Sequence, residues 1–237
     1  MLPRFNIENL KQSDVNDLLD LYNGRAREEF VKAIMEMMHK YDEQFDGIVL
    51  ECQSIPQYLF HLVNTLSMAL RDVDKLLILV ISPISKTHPQ MQPFDNHAYL
   101  EFEPFVDYFS LMTYDYATDR PSPNAPFDWV EEQLEKLCRN DCHKVLLGLN
   151  FYGYNFGPKS VDAITGNSFL ELIKSRKDQI EMEWDNEAKE HKFQVDSNII
   201  YYPTVDSIQA RVDLAQEFGC GISIWEIGQG LDQFYPL

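Results

Sequence analysis

The sequence of 237 residues has little basic charge, few cysteines and no long apolar segment. Its 20 Lys and Arg residues stand against 38 Asp and Glu residues, which leaves a formal net charge of -18. This balance lacks the basic surplus that nucleic-acid-binding proteins use to hold phosphates, so no nucleic-acid partner is expected. No apolar run approaches the ~20 residues that a membrane-spanning helix needs. The opening MLPRFNIENL lacks the pattern of a signal peptide.

The four cysteines are too few for a dense disulfide framework and do not form a zinc pattern. Cys138 and Cys142 have a spacing seen in metal sites, but no second pair or histidine cluster accompanies them. We interpret this pair as a coincidence at a helix end and expect neither a metal nor a cofactor. The other two cysteines, Cys52 and Cys220, stand alone in the sequence.

Short apolar runs alternate with amphipathic stretches along the chain, which predicts alternating strands and helices. The predicted strands are Leu2–Asn6, Asp46–Gln53, Lys75–Ser82, Val106–Tyr114, Lys144–Phe151 and Gly221–Glu226. The main predicted helices are Arg25–Tyr41, Tyr58–Arg71, Phe127–Cys138 and Val205–Phe218. Strands that are apolar on both faces are typical of a parallel sheet covered by helices, either doubly wound or a (β/α)₈ barrel.

One segment, 157–202, interrupts this alternation. It contains a predicted helix at Ser168–Arg176 and short strands at Glu181–Trp184, Lys192–Val195 and Ile199–Tyr202. We therefore predict a small α+β insertion within one βα loop. The remaining chain would form a single α/β domain.

Polar and aromatic side chains collect where the predicted strands end. In a barrel these ends form the ligand cleft, so the side chains are expected to converge. They include Glu51 and Gln53, which share a face with Val49 because side chains two apart in a strand point the same way. Tyr114 and Asp115 are the expected hydrogen-bond partners of Glu51 and Gln53.

Three motifs resemble strands six, seven and eight of glycoside hydrolase family 18, the chitinase family: SLMTYDY, KVLLGLNFYG and GISIWE. FDGIVLECQ then falls on strand four, and LPRF on strand three. The resemblance extends over residues 1–237 and is strongest to a chitinase-like lectin branch. It implies an incomplete (β/α)₈ TIM barrel that contains strands three to eight, lacks the first two, and carries the α+β insertion after strand seven.

The resemblance also implies a degenerate catalytic motif. Active chitinases carry Asp-Gly-x-Asp-x-Asp-x-Glu on strand four, and this chain keeps only Asp46 and Gly47 of it. Val49 and Glu51 stand at the positions of the second and third Asp, and Gln53 stands at that of the proton-donating Glu. A carboxamide cannot deliver the proton that the leaving oxygen needs. The chain is therefore predicted not to be an enzyme.

The other pocket residues match the family, which predicts a protein that binds N-acetylglucosamine-type glycans. The predicted saccharide-binding residues are Glu51, Gln53, Met112, Tyr114, Asp115, Asn150, Tyr152 and Trp225. Two alternatives remain open: a weak glycosidase that uses Glu51 or Glu226 as its acid, and a protein-interaction scaffold. By resemblance, the protein is also expected to be secreted or lysosomal, to act in innate immunity, and to associate with a stabilin-type scavenger receptor.

Overall fold

The computed structural model describes residues 1–7, 10–41, 44–52, 54–84, 93–139, 141–176 and 179–236. It divides into two compact units. The first unit comprises Met1–Leu111, Lys136–Arg139 and Lys144–Leu146, and the second comprises Met112–Glu135, Asn140–His143 and Leu147–Leu237.

Six strands form a parallel sheet in the order β1-β2-β3-β4-β5-β11. They are β1 Arg4–Asn6, β2 Gly47–Glu51, β3 Leu76–Ile81, β4 Tyr108–Leu111, β5 Val145–Asn150 and β11 Gly221–Trp225. The helices are α1 Gln12–Leu18, α2 Arg25–Lys40, α3 Pro56–Arg71, α4 Asn96–Phe102, α5 Phe127–Leu137, α6 Gly166–Ser175 and α7 Val205–Phe218. The predicted barrel-like α/β fold is confirmed.

The first unit is built on β2, whose sequence GIVLE places apolar side chains on both faces of the sheet. Ile48 and Leu50 are fully buried on one face, and Val49 is half-buried on the other. Gly47 begins the strand because a Cβ at this position would collide with the backbone of Leu76 on β3. Helix α3 covers the sheet with a buried face that includes Leu62 and Leu66.

The second unit contains a five-stranded antiparallel sheet in the order β7-β6-β10-β9-β8. Its strands are β6 Gly153–Phe156, β7 Val161–Ile164, β8 Ile180–Asp185, β9 Glu190–Val195 and β10 Asn198–Tyr201. The predicted insertion strands are present, but the sheet begins at Gly153 rather than at 157. An aromatic cluster fills its core, in which Phe169 stacks on Tyr202 with ring centroids 4.3 Å apart.

Cys138 and Cys142 are disulfide-bonded, whereas Cys52 and Cys220 are not part of a disulfide. Our interpretation of the first pair as a coincidence was wrong. Within a helix, Cβ atoms four residues apart lie about 5–6 Å from each other, too far for the ~3.8 Å of a disulfide. Helix α5 ends at Leu137, so both cysteines lie beyond the helical spacing and can pair.

No helix in the described part of the chain has the length and apolar character needed to cross a membrane.

Candidate functional site

Asp115 is the centre of a polar site in the second unit. Its exposed carboxylate accepts hydrogen bonds at Oδ1 from the hydroxyls of Tyr152 and Tyr154, the latter at 2.8 Å. Among the residues that the structure describes, none donates a hydrogen bond to Oδ2. The site therefore presents one oriented carboxylate oxygen to any ligand that carries an N–H or O–H donor.

Both tyrosines remain protonated donors at neutral pH. Burial, followed by the hydrogen bond to Asp115, raises the pKa of Tyr154 to about 12. The same two causes raise the pKa of Tyr152 still further. The rings form an aromatic row, since the Tyr152 centroid lies 6.3 Å from that of Tyr114 and 5.7 Å from that of Tyr154. A carboxylate beside aromatic rings and hydroxyls is suited to a polyhydroxylated ligand with apolar C–H faces.

The backbone of Asp115 adopts a left-handed conformation, with φ of 60°. Few residues other than glycine occupy this region, and aspartate is among those that tolerate it. Asn124 holds the turn, because its Oδ1 accepts the Asp115 N–H at 2.7 Å and its backbone carbonyl accepts the Tyr116 N–H at 3.0 Å. The side-chain amides of Asn124 and Asn150 both donate to the Tyr152 carbonyl, at 3.4 and 2.8 Å. Asn124 thus fixes both Asp115 and the chain that carries its tyrosine donor.

A buried ion pair anchors Asn124 in turn. Glu190 on β9 accepts the backbone N–H groups of Asn124 and Ala125 at 3.0 and 2.7 Å. It pairs with Arg211 on α7 at 3.3 Å, and both residues are only 4% exposed. Burial raises the pKa of the Glu190 carboxyl, while Arg211 and the two N–H groups oppose that shift. Arg211 also donates to the carbonyl groups of Ala125, Ala188, Lys189 and Ser207.

The predicted site residues of the second unit have the following positions. Tyr114, Asp115, Asn150 and Tyr152 lie together. Trp225 ends β11 half-buried, and its carbonyl accepts the Phe151 N–H at 2.7 Å, which ties the end of β11 to the chain beside Tyr152. Met112 is half-buried just before Tyr114 in sequence. Glu226, the alternative acid, is exposed, and its Oε1 accepts from Gln229 at 2.9 Å.

Glu51 lies in the first unit and is 5% exposed. Its partners are the guanidinium of Arg4 and the amide of Asn6, not Tyr114 and Asp115 as expected. The reason is register: β1 pairs with β2 so that Asn6 is opposite Glu51, which brings these side chains together. Gln53 lies outside the described residues, so its place in the site stays a prediction.

Sequence reasoning missed Tyr154, Asn124, Glu190 and Arg211. Tyr154 could have been found, because it follows Tyr152 by two residues and side chains two apart in extended backbone point the same way. The ion pair offered no signal, since Glu190 lies in the polar run EHK and its bond to Asn124 joins residues 66 apart.

A parallel sheet covered by helices, with a carboxylate and tyrosines just after its strands, defines an α/β fold with a polar and aromatic candidate site at its strand ends. The chain belongs to the glycosyl hydrolases family 18, whose family model matches residues 14–230. It is 23% identical over 248 residues to a cortical fragment-lytic enzyme of Bacillus subtilis strain 168, and 24% identical over 253 residues to one of Bacillus anthracis. These alignments cover 98% and 100% of this chain, but only 57% and 58% of the relatives.

Solved structures share the fold. A class V chitinase from Pseudomonas fluorescens Pf-5 matches with a TM-score of 0.83 at 22% identity, covering 99% of this chain and 78% of that one. The spore cortex-lytic enzyme SleL of Bacillus cereus matches with a TM-score of 0.81 at 19% identity, covering 100% of this chain and 58% of that one.

These comparisons contradict the prediction that the chain is not an enzyme. Both curated relatives are named as lytic enzymes, and the matched structures include chitinases. Our prediction gave most weight to the loss of the acid at Gln53. The alternative that it left open, a glycosidase that uses Glu51 or Glu226 as its acid, agrees better with these relatives.

Proposed function

We propose that this chain binds N-acetylated glycans at Asp115 and hydrolyses their glycosidic bonds. The observation that supports this function is the exposed Asp115 carboxylate, whose Oδ1 accepts from two protonated phenols while Oδ2 accepts from none of the described residues. Oδ2 would accept the N–H of an acetamido group and thereby orient its carbonyl oxygen towards the anomeric carbon. In the chitinase family this oxygen is the nucleophile, and an acid must protonate the leaving oxygen.

Glu226 is our candidate for that acid. A protonated carboxyl must donate its proton, yet the oxygens of Glu51 are met by the donors of Arg4 and Asn6. Glu226 is exposed at the end of β11, with only Gln229 bonded to it among the described residues. Its other oxygen, Oε2, accepts from none of the described residues and is open to the leaving oxygen of a glycoside.

The proposed substrates are glycans that contain N-acetylglucosamine, either chitin-type oligomers or fragments of spore cortex. The indole of Trp225 would stack on a sugar ring, as the motif match predicts. Within the family, we also propose that the chain is related to chitinase domain-containing protein 1. This relationship is supported only by the motifs SLMTYDYAT, PNAPFDWV, GLNFYG and SIWEIGQGLDQFY. The Cys138–Cys142 disulfide supports an oxidising compartment, in keeping with the predicted secreted or lysosomal location.

The test measures hydrolysis of fluorogenic chitotriose and of purified cortex fragments by the wild-type chain and four variants: Asp115→Ala, Glu226→Gln, Glu51→Gln and Glu217→Gln. Asp115→Ala and Glu226→Gln should each reduce kcat/KM by about 10²-fold or more, as loss of a catalytic group does. Glu217→Gln, an exposed glutamate on α7, is the matched control and should behave as wild type. Absence of turnover by the wild-type chain would refute hydrolysis. Full activity of Glu226→Gln with loss in Glu51→Gln would transfer the acid role to Glu51.

A further inference from the structure

A pocket on the antiparallel sheet of the second unit takes no part in the site described above. It has a volume of about 370 Å³ and lies on strands β8, β9 and β10. This size falls within the ~300–1,000 Å³ of typical small-molecule sites. We call it the β9 pocket, and its lining residues are Glu183, Trp184, Asp185, Asn186, Lys192 and Tyr201.

The sheet register brings side chains of both charge signs to this pocket. Lys192 on β9 pairs with Glu183 on β8 and, on its other side, with Tyr201 on β10. Asp185 follows Glu183 by two residues and therefore points to the same face of the sheet. Because neighbouring strands lie ~4.8 Å apart, two carboxylates, one ammonium and one phenol can surround a single small ligand.

The Tyr201 hydroxyl lies at this pocket without a protein partner among the described residues. The residue is only 8% exposed. Burial, followed by the charges of Asp185, Glu190 and Glu183, raises the pKa of this phenol, which therefore keeps its proton at neutral pH. Polar groups of side chains this deeply buried normally have a partner, because an unmade hydrogen bond is costly there. The hydroxyl thus indicates a ligand that accepts a hydrogen bond.

The charged groups of the pocket also keep bonding capacity for a ligand. Asp185 Oδ1 accepts the backbone N–H groups of Glu187 and Ala188, both at 2.9 Å, while Oδ2 accepts from none of the described residues. Lys192 Nζ lies 3.6 Å from Glu183 Oε2, beyond hydrogen-bond distance, and the Glu183 side chain is 75% exposed. Such an exposed pair contributes little stability, so the charged groups of a ligand can replace it.

The mixture of charges selects the class of ligand. A purely cationic ligand would meet the Lys192 ammonium, and a purely anionic ligand would meet two carboxylates. A group that carries both charges matches the lining. We propose that the β9 pocket binds an α-amino-acid head group, whose ammonium pairs with Asp185 and Glu183 and whose carboxylate accepts from Lys192 and Tyr201.

The position of the pocket indicates where this head group comes from. Tyr201 pairs across the sheet with Tyr154, whose hydroxyl donates to Asp115. Strands β6 and β9 are two strand spacings apart, about 10 Å, a distance that about three extended residues span. The head group then belongs to an amino acid that is joined, through its side chain, to a glycan bound at Asp115. This source, unlike the pocket itself, rests on the proposed function.

A titration followed by the amide NMR signals of the chain tests the pocket. The probe is Nε-acetyl-L-lysine, which carries one head group and no other charge. Tyr201→Phe keeps the ring and should weaken the Kd about tenfold, the effect of one hydrogen bond to a charged group. Asp185→Asn, which keeps an acceptor for the turn, and Lys192→Gln should each weaken it about tenfold or more. Glu181→Gln, at an exposed position on the same strand, is the control and should bind as wild type.

Two modified probes test the need for both charges. Nα,Nε-diacetyl-L-lysine lacks the ammonium, and the methyl ester of Nε-acetyl-L-lysine lacks the carboxylate. Each should bind at least about tenfold more weakly than the parent probe. Equal affinity for either modified probe would overturn the proposal, as would equal losses in Glu181→Gln and in the pocket variants.

The source is tested with L-lysine joined through its side chain to diacetylchitobiose, in the Glu226→Gln background so that the ligand stays intact. This conjugate should bind at least about tenfold more tightly than Nε-acetyl-L-lysine, because the second contact is then intramolecular. Asp115→Ala should abolish that gain. Equal affinities of conjugate and probe would overturn the glycan source and indicate a free amino acid.

The outcomes separate this proposal from the hydrolase proposal. Wild-type turnover of chitotriose, combined with unshifted pocket signals in Nε-acetyl-L-lysine, would overturn the pocket alone. Head-group binding that depends on Tyr201 and Lys192, without turnover, would support the pocket and refute hydrolysis.

Discussion

Asp115 depends on residues that the sequence places far from it. Its conformation is set by Asn124, nine residues later, and its donors come from Tyr152 and Tyr154. Asn124 is held by Glu190, and Glu190 by Arg211. The Asp115 side chain is therefore positioned by a chain of contacts that ends on α7.

The buried ion pair predicts a large stability difference between two similar mutations. Glu190→Gln leaves the Arg211 charge buried without its partner, which should cost about 3–5 kcal/mol in the free energy of unfolding. Glu183→Gln removes a partner of Lys192 from a surface pair at 3.6 Å, which should cost at most about 1 kcal/mol. Urea denaturation of both variants is the measurement. Equal costs would show that Glu190 does not anchor the Asp115 turn.

The tyrosine donors predict a loss of stability at alkaline pH. Folding raises the pKa of Tyr154 from its ordinary value near 10 to about 12, so the folded chain keeps a proton there that the unfolded chain loses. The free energy of unfolding should therefore fall as the pH rises from about 10 to 12. Tyr154→Phe removes this proton and should show a shallower decline in denaturation at stepped pH. Parallel curves for the variant and wild type would contradict the raised pKa.

The sequence motifs placed Tyr114, Asp115, Asn150 and Tyr152 at strand ends, and these four residues lie together in the structure because consecutive parallel strands bring their ends to one edge. The motifs could not predict the partners of Glu51. These depend on the register between β1 and β2, and β1 is only three residues long.

At the scale of elements, strong apolar runs were predicted and weak ones were missed. The buried strands and the long helices α2, α3 and α7 carry periodicity that extends over their whole length. Strands β6 and β7 have four residues each, and β7, VDAI, is largely exposed. Helix α1 has seven residues and one buried side chain, Leu18. In these elements pairing and packing decide the structure, and no local pattern shows it.

Gly153 allows strands β6 and β10 to approach closely. A Cβ at Gly153 would collide with the backbone of Tyr201, so Gly153→Ala must push the two strands apart. We expect a cost of about 1–3 kcal/mol, typical of overpacking. Gly157→Ala is the control, because the nearest atoms lie 3.4 Å from its Cβ and accept an added methyl group with little movement. Thermal melting should lower the Tm of Gly153→Ala clearly more than that of Gly157→Ala.

At the scale of the whole molecule, the sheet order ends at β1 on one side and at β11 on the other. An edge strand exposes unpaired backbone groups to other chains. Strand β11 also exposes Ile222, which is 42% accessible. The net charge of -18 repels other copies, and salt screens that repulsion.

We therefore expect the isolated chain to associate increasingly as salt is raised from about 0.05 to 0.5 M, where the Debye length shrinks severalfold. Size-exclusion chromatography and thermal melting measure this. Ile222→Lys should reduce association, since a charge on an edge strand discourages pairing. Ile227→Lys, at an exposed position beyond the strand, is the control. A monomer with a sharp, cooperative melt at every salt concentration would show that the edges are already protected.

The contacts of Glu190 and Arg211 with the loop that follows Asp115 limit which parts of the chain can be exchanged with those of a relative. β9 belongs to the antiparallel insertion, and Asn124 and Ala125 belong to the loop between β4 and α5. A chimaera that exchanges this insertion for that of another family member would also exchange the carboxylate that positions its Asp115. Loop and insertion must therefore be transplanted together, as one cassette with the helix that carries Arg211.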